Sequence, residues 1–472
     1  MSTIRIGWGS ASITPEQTVA LAGQSYKRIT NEVRDPLMAT ALAIEDISTG
    51  GQVVLVGCDL IAIELPLLGR ARELAVARSP ELAPESIVLS ASHTHAGPQY
   101  ADIEMWFKVE DHTAEPGVMK HGEYVEFAAE RIAQAIQEAW DSRLPGGISR
   151  ARGTAAISFN RMVVYDDDHA AMYGDIYTSH YRRMVGPEDP RVEMLFTWDG
   201  QGELTGVLFN AACTAQITEN QTLLSADYFG ELRAMIARQW SPNVYLLGLV
   251  GAAGDLAPRD TLNQRHNERD YNKELRTIAR KLLHTFELGL EEAKERIETS
   301  PVFKHTLTPL LLPLRKPTKS EVDEARAYWQ AFERELARHE DRAVLFNSRS
   351  YEERHRIMNS YAILHRATVL KRTSTYPMEL HAIRIGDIAI VTNSFELFTE
   401  YGLQIKARSC AKQTFIAQLS CNSSGYLPTA YAAAAGGYSA YLYCGYVGPD
   451  AGELLVDRTV DAIFELWDSR SS

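Results

Sequence analysis

The stretch from Gln52 to His93 most constrains what this chain can fold into. QVVLVGCDLIAI (52–63) is a short apolar run rich in β-branched residues, which predicts a buried strand. PLLGRARELAVARS follows and reads as a helix, and ESIVLSASH (85–93) reads as a second strand. Strand, helix and strand at this spacing predict a βαβ unit, because parallel neighbours need a long crossover rather than a tight turn. The loop that carries function is then expected where the second strand ends.

The same alternation continues. GEYVEFAAERIAQAIQEAW (122–140) is an amphipathic helix with Tyr124, Ala128, Ile132, Ala135, Ile136 and Ala139 on one face. Strands are predicted at 192–198, 206–213, 243–250, 378–386 and 388–394, the last two joined by a hairpin turn at Gly386 and Asp387. Thr318 and Ser320 can cap a helix bearing Val322, Ala325, Trp329, Phe332 and Leu336, and Ser350 with Glu353 forms a second capping box. Residues 318–372 therefore read as a helical pair whose aromatic stripe serves core packing or a homo-oligomer contact. The fold class is α/β, with mixed α and β elements: central, largely buried sheets flanked by helices, plus this appended pair. No repeat of fixed period is evident.

Composition narrows the function classes. The 472 residues are 45% hydrophobic and 23% charged, as in a globular protein, and the formal charge of −13 disfavours nucleic-acid or anionic-membrane partners. The longest apolar run, VYLLGLVGAAG, is too short for an integral membrane segment. MSTIRIGWGSASITPE lacks a basic and apolar leader, and five cysteines without a CxxC pair do not make a disulfide framework, so the expected location is cytoplasmic. Walker A, GxGxxG, GxSxG and HExxH signatures are absent from the sequence. The expected partner is a small-molecule substrate.

SASHTHAGP closes the second strand with two histidines one residue apart. If the extended geometry persists, His93 and His95 point to the same face beside a turn at Gly97 and Pro98. That arrangement suits a metal, and it also suits polar residues that simply close a strand. A series of further motifs follows in order: ITPE (13–16), VRDPLMATALAIED (33–46), SFNR (158–161), LLSADYFG (223–230), GAAGDLAPR (251–259), SFELFTEYG (394–402) and GYLPTAYAAAAGGY (425–438). With HTHxGP, this series resembles the catalytic domain of the neutral/alkaline, non-lysosomal ceramidase family across nearly the whole chain. The resemblance implies one catalytic domain over 1–472, with 318–372 a helical insertion and no C-terminal immunoglobulin-like domain.

The resemblance also implies one catalytic zinc ion. Its ligands map to His93, Glu396 in SFELF and Tyr426 in SGYLPT. The family's second histidine ligand is missing: Cys213 or Thr214 stands at its place, depending on the direction of counting, and Gln216, Glu219 or Asp227 could fill the gap. Cys213 is the better chemical replacement, since thiolate binds zinc; the competing reading is a small buried apolar residue. The family serine of the GDxSP loop is also replaced, by Ala257. His95, Tyr438 (twelve residues after Tyr426) and Arg161 carry over as catalytic residues that donate protons and hold developing negative charge. Asp59 and Asp255 read as orienting carboxylates or turn caps. The implied activity is a metal-dependent, amidase-type hydrolase with a metal-activated water, acting on a small polar or lipid-derived substrate. A carbohydrate-active metal-dependent enzyme and a non-catalytic ligand- or partner-binding descendant are the alternatives.

Overall fold

The computed structural model describes residues 2–24, 26–100, 112–266, 269–339 and 342–468. The first sheet is built from β1 (Ile4–Ser12), β2 (Met38–Asp46) and β3 (Gly51–Cys58), followed by helix α1 (Leu65–Arg78) and strand β4 (Ile87–Ala91). Helix α2 (His121–Asp141) packs against it. β1, β2 and β3 pair antiparallel, and β3 pairs with β4 in parallel across α1. The expected βαβ unit is therefore present. Its first strand is shorter than predicted, because residues after Cys58 leave the sheet where the Asp59 carboxylate accepts the Met38 N–H at 2.8 Å and pairs with Arg233.

The second sheet repeats the first. It contains β5 (Gly147–Thr154), β6 (Arg191–Trp198), β7 (Leu204–Ala211), helix α3 (Tyr228–Gln239) and β8 (Tyr245–Val250), with helix α4 (Tyr271–Ala293) behind. β5, β6 and β7 are antiparallel, and β7 with β8 is parallel across α3. The third sheet has β9 (Phe303–Pro313), then helices α5 (Lys319–Leu336) and α6 (Tyr351–Val369), then β10 (Thr375–Ile385), β11 (Ile388–Thr392), helix α7 (Thr399–Arg408), β12 (Gln413–Ala417) and helix α8 (Pro449–Trp467). Again the first three strands are antiparallel and the last pair is parallel. A period that the sequence hides is thus plain in the strand pairing.

The helical pair lies between the paired strands β9 and β10, and both predicted capping boxes form, at Thr318 with Glu321 and at Ser350 with Glu353. Several elements escape the sequence reading, including β1, β2, β9 and α4. β2 (MATALAIED) reads equally as a helix by composition, and only its pairing on both sides makes it a strand.

The three parallel pairs meet. Asn210 in β7 is fully buried, donates to the Leu249 and Ile416 carbonyls at 2.8 Å each and accepts the Ile416 N–H at 3.0 Å, which locks β7, β8 and β12 together. Gln418 N donates to Val250 O at 3.0 Å, and Ser90 and Ser420 share a hydrogen bond at 2.7 Å. The C-terminal ends of β4, β7, β8, β11 and β12 consequently open toward one region. Among the described residues no helix is long and apolar enough to cross a membrane.

Candidate active site

His93 lies past the end of β4, not in it. Its backbone is left-handed, at φ 63°, a conformation that a non-glycine residue adopts only at some energetic cost. The expected alternation of strand side chains therefore does not bring the two histidines together; a turn does. The rings still converge, with Nε2 to Nε2 at 3.3 Å. Thr94 fastens this turn by donating from Oγ1 to the Ser225 carbonyl at 2.7 Å. Ser225 and Ala226 in turn donate to the Asp35 carboxylate at 2.9 and 2.7 Å. That clip accounts physically for the VRDP and LLSAD motifs.

The His93 tautomer follows from its partners. Nδ1 is 2.7 Å from the Ile61 carbonyl and must carry a proton, so Nε2 is the ring nitrogen that faces inward as the ligand atom. Nε2 stands 3.3 Å from Glu396 Oε2. Glu396 and Tyr426 are placed side by side by a two-residue parallel ladder in register. The Tyr426 hydroxyl donates to the Glu396 carboxylate and accepts from Arg161 Nη2 at 2.9 Å. Gly425 makes this approach possible: its φ is +67°, and a Cβ there would lie 2.1 Å from the Cys444 carbonyl oxygen.

The electrostatics favour an ionised carboxylate. Burial alone would raise the Glu396 pKa, but a protonated His93, the Arg161 guanidinium and the Tyr426 hydroxyl together hold it below the usual range. Arg161 is 4% exposed, and it also donates to the Gly254 carbonyl at 3.1 Å. Burial raises the Tyr426 and Tyr438 phenols well above their ordinary pKa, so both carry their protons in this arrangement. The Tyr438 ring meets the Tyr426 ring edge-on at 5.7 Å.

His95 is kept neutral, chiefly by burial and secondarily by His93, Arg28 and Arg161. Thr214 Oγ1 donates to Gln216 Oε1, which turns the Gln216 amide N–H toward His95 Nε2 at 3.0 Å. Gln216 thus stands at the histidine pair. Cys213 does not: its thiol is fully buried and donates to the Ile157 carbonyl at 3.5 Å. Nor does its sulfur share a ligand-spaced cluster with His93 and Glu396. The cause is a turn of the chain after Ala211, where Cys213 N bonds back to Ala211 O and points the side chain into the core. Thr214 reaches the site only through Gln216. Asp227 caps α3 and accepts from Thr218 and Tyr228. Glu219 Oε2 lies 4.0 Å from His95 Nδ1.

Asp255 holds the site from behind. It accepts from Asn160 Nδ2 at 2.8 Å and from the Thr399 N–H and hydroxyl at 2.8 and 2.7 Å, fixing the segments that carry Arg161 and Glu396. Ala257 is buried in a short ladder with Phe159. Three contributors were not read from the sequence. Arg28 donates to the His95 carbonyl at 2.8 Å. Gly23, at φ +95°, underlies His95, where a Cβ would come within 2.5 Å of the ring. His355 on α6 packs edge-on against Tyr438 at 5.7 Å, so the helical pair reaches the site. The positive φ at Gly23 has no local sequence signal beyond glycine itself.

His93 Nε2, a Glu396 oxygen and the Tyr426 hydroxyl together form a donor set suited to a divalent cation. A lone pair and a carboxylate oxygen 3.3 Å apart repel unless a positive charge lies between them. Three protein ligands with an open position is also the composition of catalytic zinc sites.

No family model and no curated protein matches the sequence. Two solved structures resemble the chain along almost its entire length. One is a neutral ceramidase from Pseudomonas aeruginosa, at TM-score 0.73 and 16% identity, covering 99% of this chain and 75% of that one. The other is a ceramidase complexed with C2, at TM-score 0.71 and 15% identity, covering 99% and 76%. At these identities what is shared is the path of the backbone, and this chain therefore has the neutral ceramidase fold.

Proposed function

We propose that the chain is a metal-dependent hydrolase of the amidase type, built as one catalytic domain, with His93, Glu396 and Tyr426 as the ligands of a single divalent cation, zinc by its donor chemistry. The observation that carries this reading is the convergence of those three groups with His93 Nε2 directed inward. When bound, the ion supplies Lewis acidity and a water acidic enough to act near neutral pH. Cys213 is left out of the ligand set because its thiol faces the Ile157 carbonyl.

The chain's own residues divide the remaining work. Neutral His95, held by Gln216 and Arg28, takes or gives a proton at the substrate. Arg161 and the protonated Tyr438 supply preorganised donors for negative charge that develops on a carbonyl oxygen; a donor of this kind is worth about 3 to 4 kcal/mol. With Ala257 in the GDxSP loop, no hydroxyl from that position contacts the scissile bond.

A small polar substrate fits better than a long acyl chain. Glu219, beside His95, is faced by Arg28, Arg161, Arg259 and Arg269. Arg259 and Arg269 also line a cavity of about 240 Å³ whose wall includes Asp260, Lys273, Glu274 and Lys281. The test is metal content and amide hydrolysis by the purified chain, alongside glycoside substrates. We expect bound zinc, loss of the ion in His93→Ala and turnover of short polar N-acyl amides. Glycoside turnover without amide turnover would transfer the reading to a carbohydrate-active enzyme. A chain that binds no metal at the His93 site would leave a binding protein.

A further inference from the structure

A second cluster of ligand-type side chains lies at the other end of β4, away from His93. Glu379 and His381 are alternate residues of β10 and share one face. Cys421 follows β12, and its N–H bonds the Leu89 carbonyl of β4 at 2.9 Å. His381 Nε2 is 3.1 Å from Glu379 Oε2 and 3.7 Å from Cys421 Sγ. His381 is fully buried and Cys421 is 2% exposed. These contacts are separate from the His93 site and do not depend on the hydrolase reading.

We propose that Glu379, His381 and Cys421 form a second, structural metal site for a thiophilic divalent ion such as zinc. Spacing is the first argument. Around a zinc ion with usual bond lengths, tetrahedral N···O and N···S edges are about 3.3 and 3.6 Å. The observed 3.1 and 3.7 Å are close to these values, and all three ligand atoms lie within 4.8 Å of one another.

Orientation is the second argument. His305 Nδ1 faces the Gln52 carbonyl at 3.3 Å, so its proton sits there and its Nε2 accepts from His381 Nδ1–H at 3.0 Å. This relay leaves Nε2 as the His381 atom that faces the carboxylate and the sulfur, and a bound ion would take the place of the proton it carries there. A metal-bound histidine is commonly fixed in this way by a partner on its other nitrogen. Backbone strain is the third argument. Cys421 has φ 58°, a left-handed conformation that aims its thiol at the other two groups.

Charge is compatible. Arg72 on α1 is bidentate to Glu379 at 2.8 and 3.0 Å and donates twice to the Ile87 carbonyl. Arg72 Nη2 also lies 3.7 Å from Cys421 Sγ, so with the ion bound the guanidinium gives up Oε2 and the sulfur to the metal and keeps Oε1 and the Ile87 carbonyl. The incoming dication replaces one proton on His381 Nε2 and one on the Cys421 thiol, so net charge is unchanged. The ion would join β10 to the segment that leads, five residues on, to Tyr426.

Titration of the reduced, full-length protein with Co²⁺ tests the site. Thiolate ligation gives a near-ultraviolet sulfur-to-cobalt charge-transfer band, which the His93 site, with its nitrogen and oxygen donors, cannot produce. We expect one equivalent of this band in the wild type, its retention in His93→Ala and Cys213→Ala, its loss in Cys421→Ser, and its displacement by Zn²⁺. Glu379→Gln, at the more exposed edge, should weaken Co²⁺ binding at least about tenfold with the fold intact. Absence of the band in the wild type, its persistence in Cys421→Ser, or unchanged affinity in Glu379→Gln overturns the proposal; a proton alone would then occupy the cluster. Loss of the His93-dependent metal with the cobalt band retained would instead fail the hydrolase reading only.

Discussion

Arg161→Met isolates the charge at the centre of the candidate active site. Methionine fills a similar volume without charge or donors. The change removes the bonds to the Tyr426 hydroxyl and the Gly254 carbonyl, at 2.9 and 3.1 Å, and leaves the Glu396 carboxylate short of a buried counter-charge. Two bonds from a charged donor contribute about 1.5 to 3 kcal/mol each. Breaking one side of a buried charge arrangement costs about 3 to 5 kcal/mol by an independent route. Both routes agree on about 4 kcal/mol. For 472 residues the melting entropy is on the order of 1 kcal/mol per degree, so the midpoint should fall by about 4 °C. Differential scanning calorimetry of metal-free protein measures this. Arg161→Lys should recover about half, because an ammonium keeps the charge but not the fork of donors. Added Zn²⁺ should then stabilise Arg161→Met more than the wild type, since the ion supplies the missing positive charge. A variant that melts within about 1 °C of the wild type would refute the claim that Arg161 holds this site together.

Three further outcomes follow from the geometry. Cys213→Ala should keep its full His93-dependent metal content and lose only packing, about 1 kcal/mol, as read by metal analysis and thermal melting. Gly23→Ala forces a Cβ at φ +95° into the His95 ring, so hydrolytic turnover should fall at least about tenfold with little change in metal content. His355, against Tyr438, has its pKa pushed down to about 4, first by burial and then by Arg354. A histidine depressed in the fold contributes stability that is complete above its unfolded value near 6.5 and is lost as pH falls toward 4. After allowance for solvent screening this amounts to about 2 kcal/mol, and His355→Gln should flatten the stability profile between pH 6.5 and 4 in urea denaturation.

Sequence alone determined the elements whose signal is local. The β-branched run before Cys58, the caps at Thr318 and Ser350 and the apolar face of α2 each set a structure within a few residues, because period and capping act over one or two turns. The order of motifs also marked His93, Glu396, Tyr426, Arg161 and Tyr438, which the fold brings to one place. Tertiary structure decided what depends on distant partners. The threefold repeat of sheets lies in strand pairing, which no fixed sequence period records. Cys213 and Gln216 are three residues apart and equally available on paper; a turn after Ala211 sends one thiol into the core and one amide to His95. His93 reaches Glu396 through a left-handed residue that the apolar run gives no reason to expect. His381 and Cys421 share no motif and meet only because the segment after β12, bonded to Leu89 of β4, turns its Cys421 side chain onto β10. Local chemistry sets which residues can act, and long-range pairing sets which of them touch.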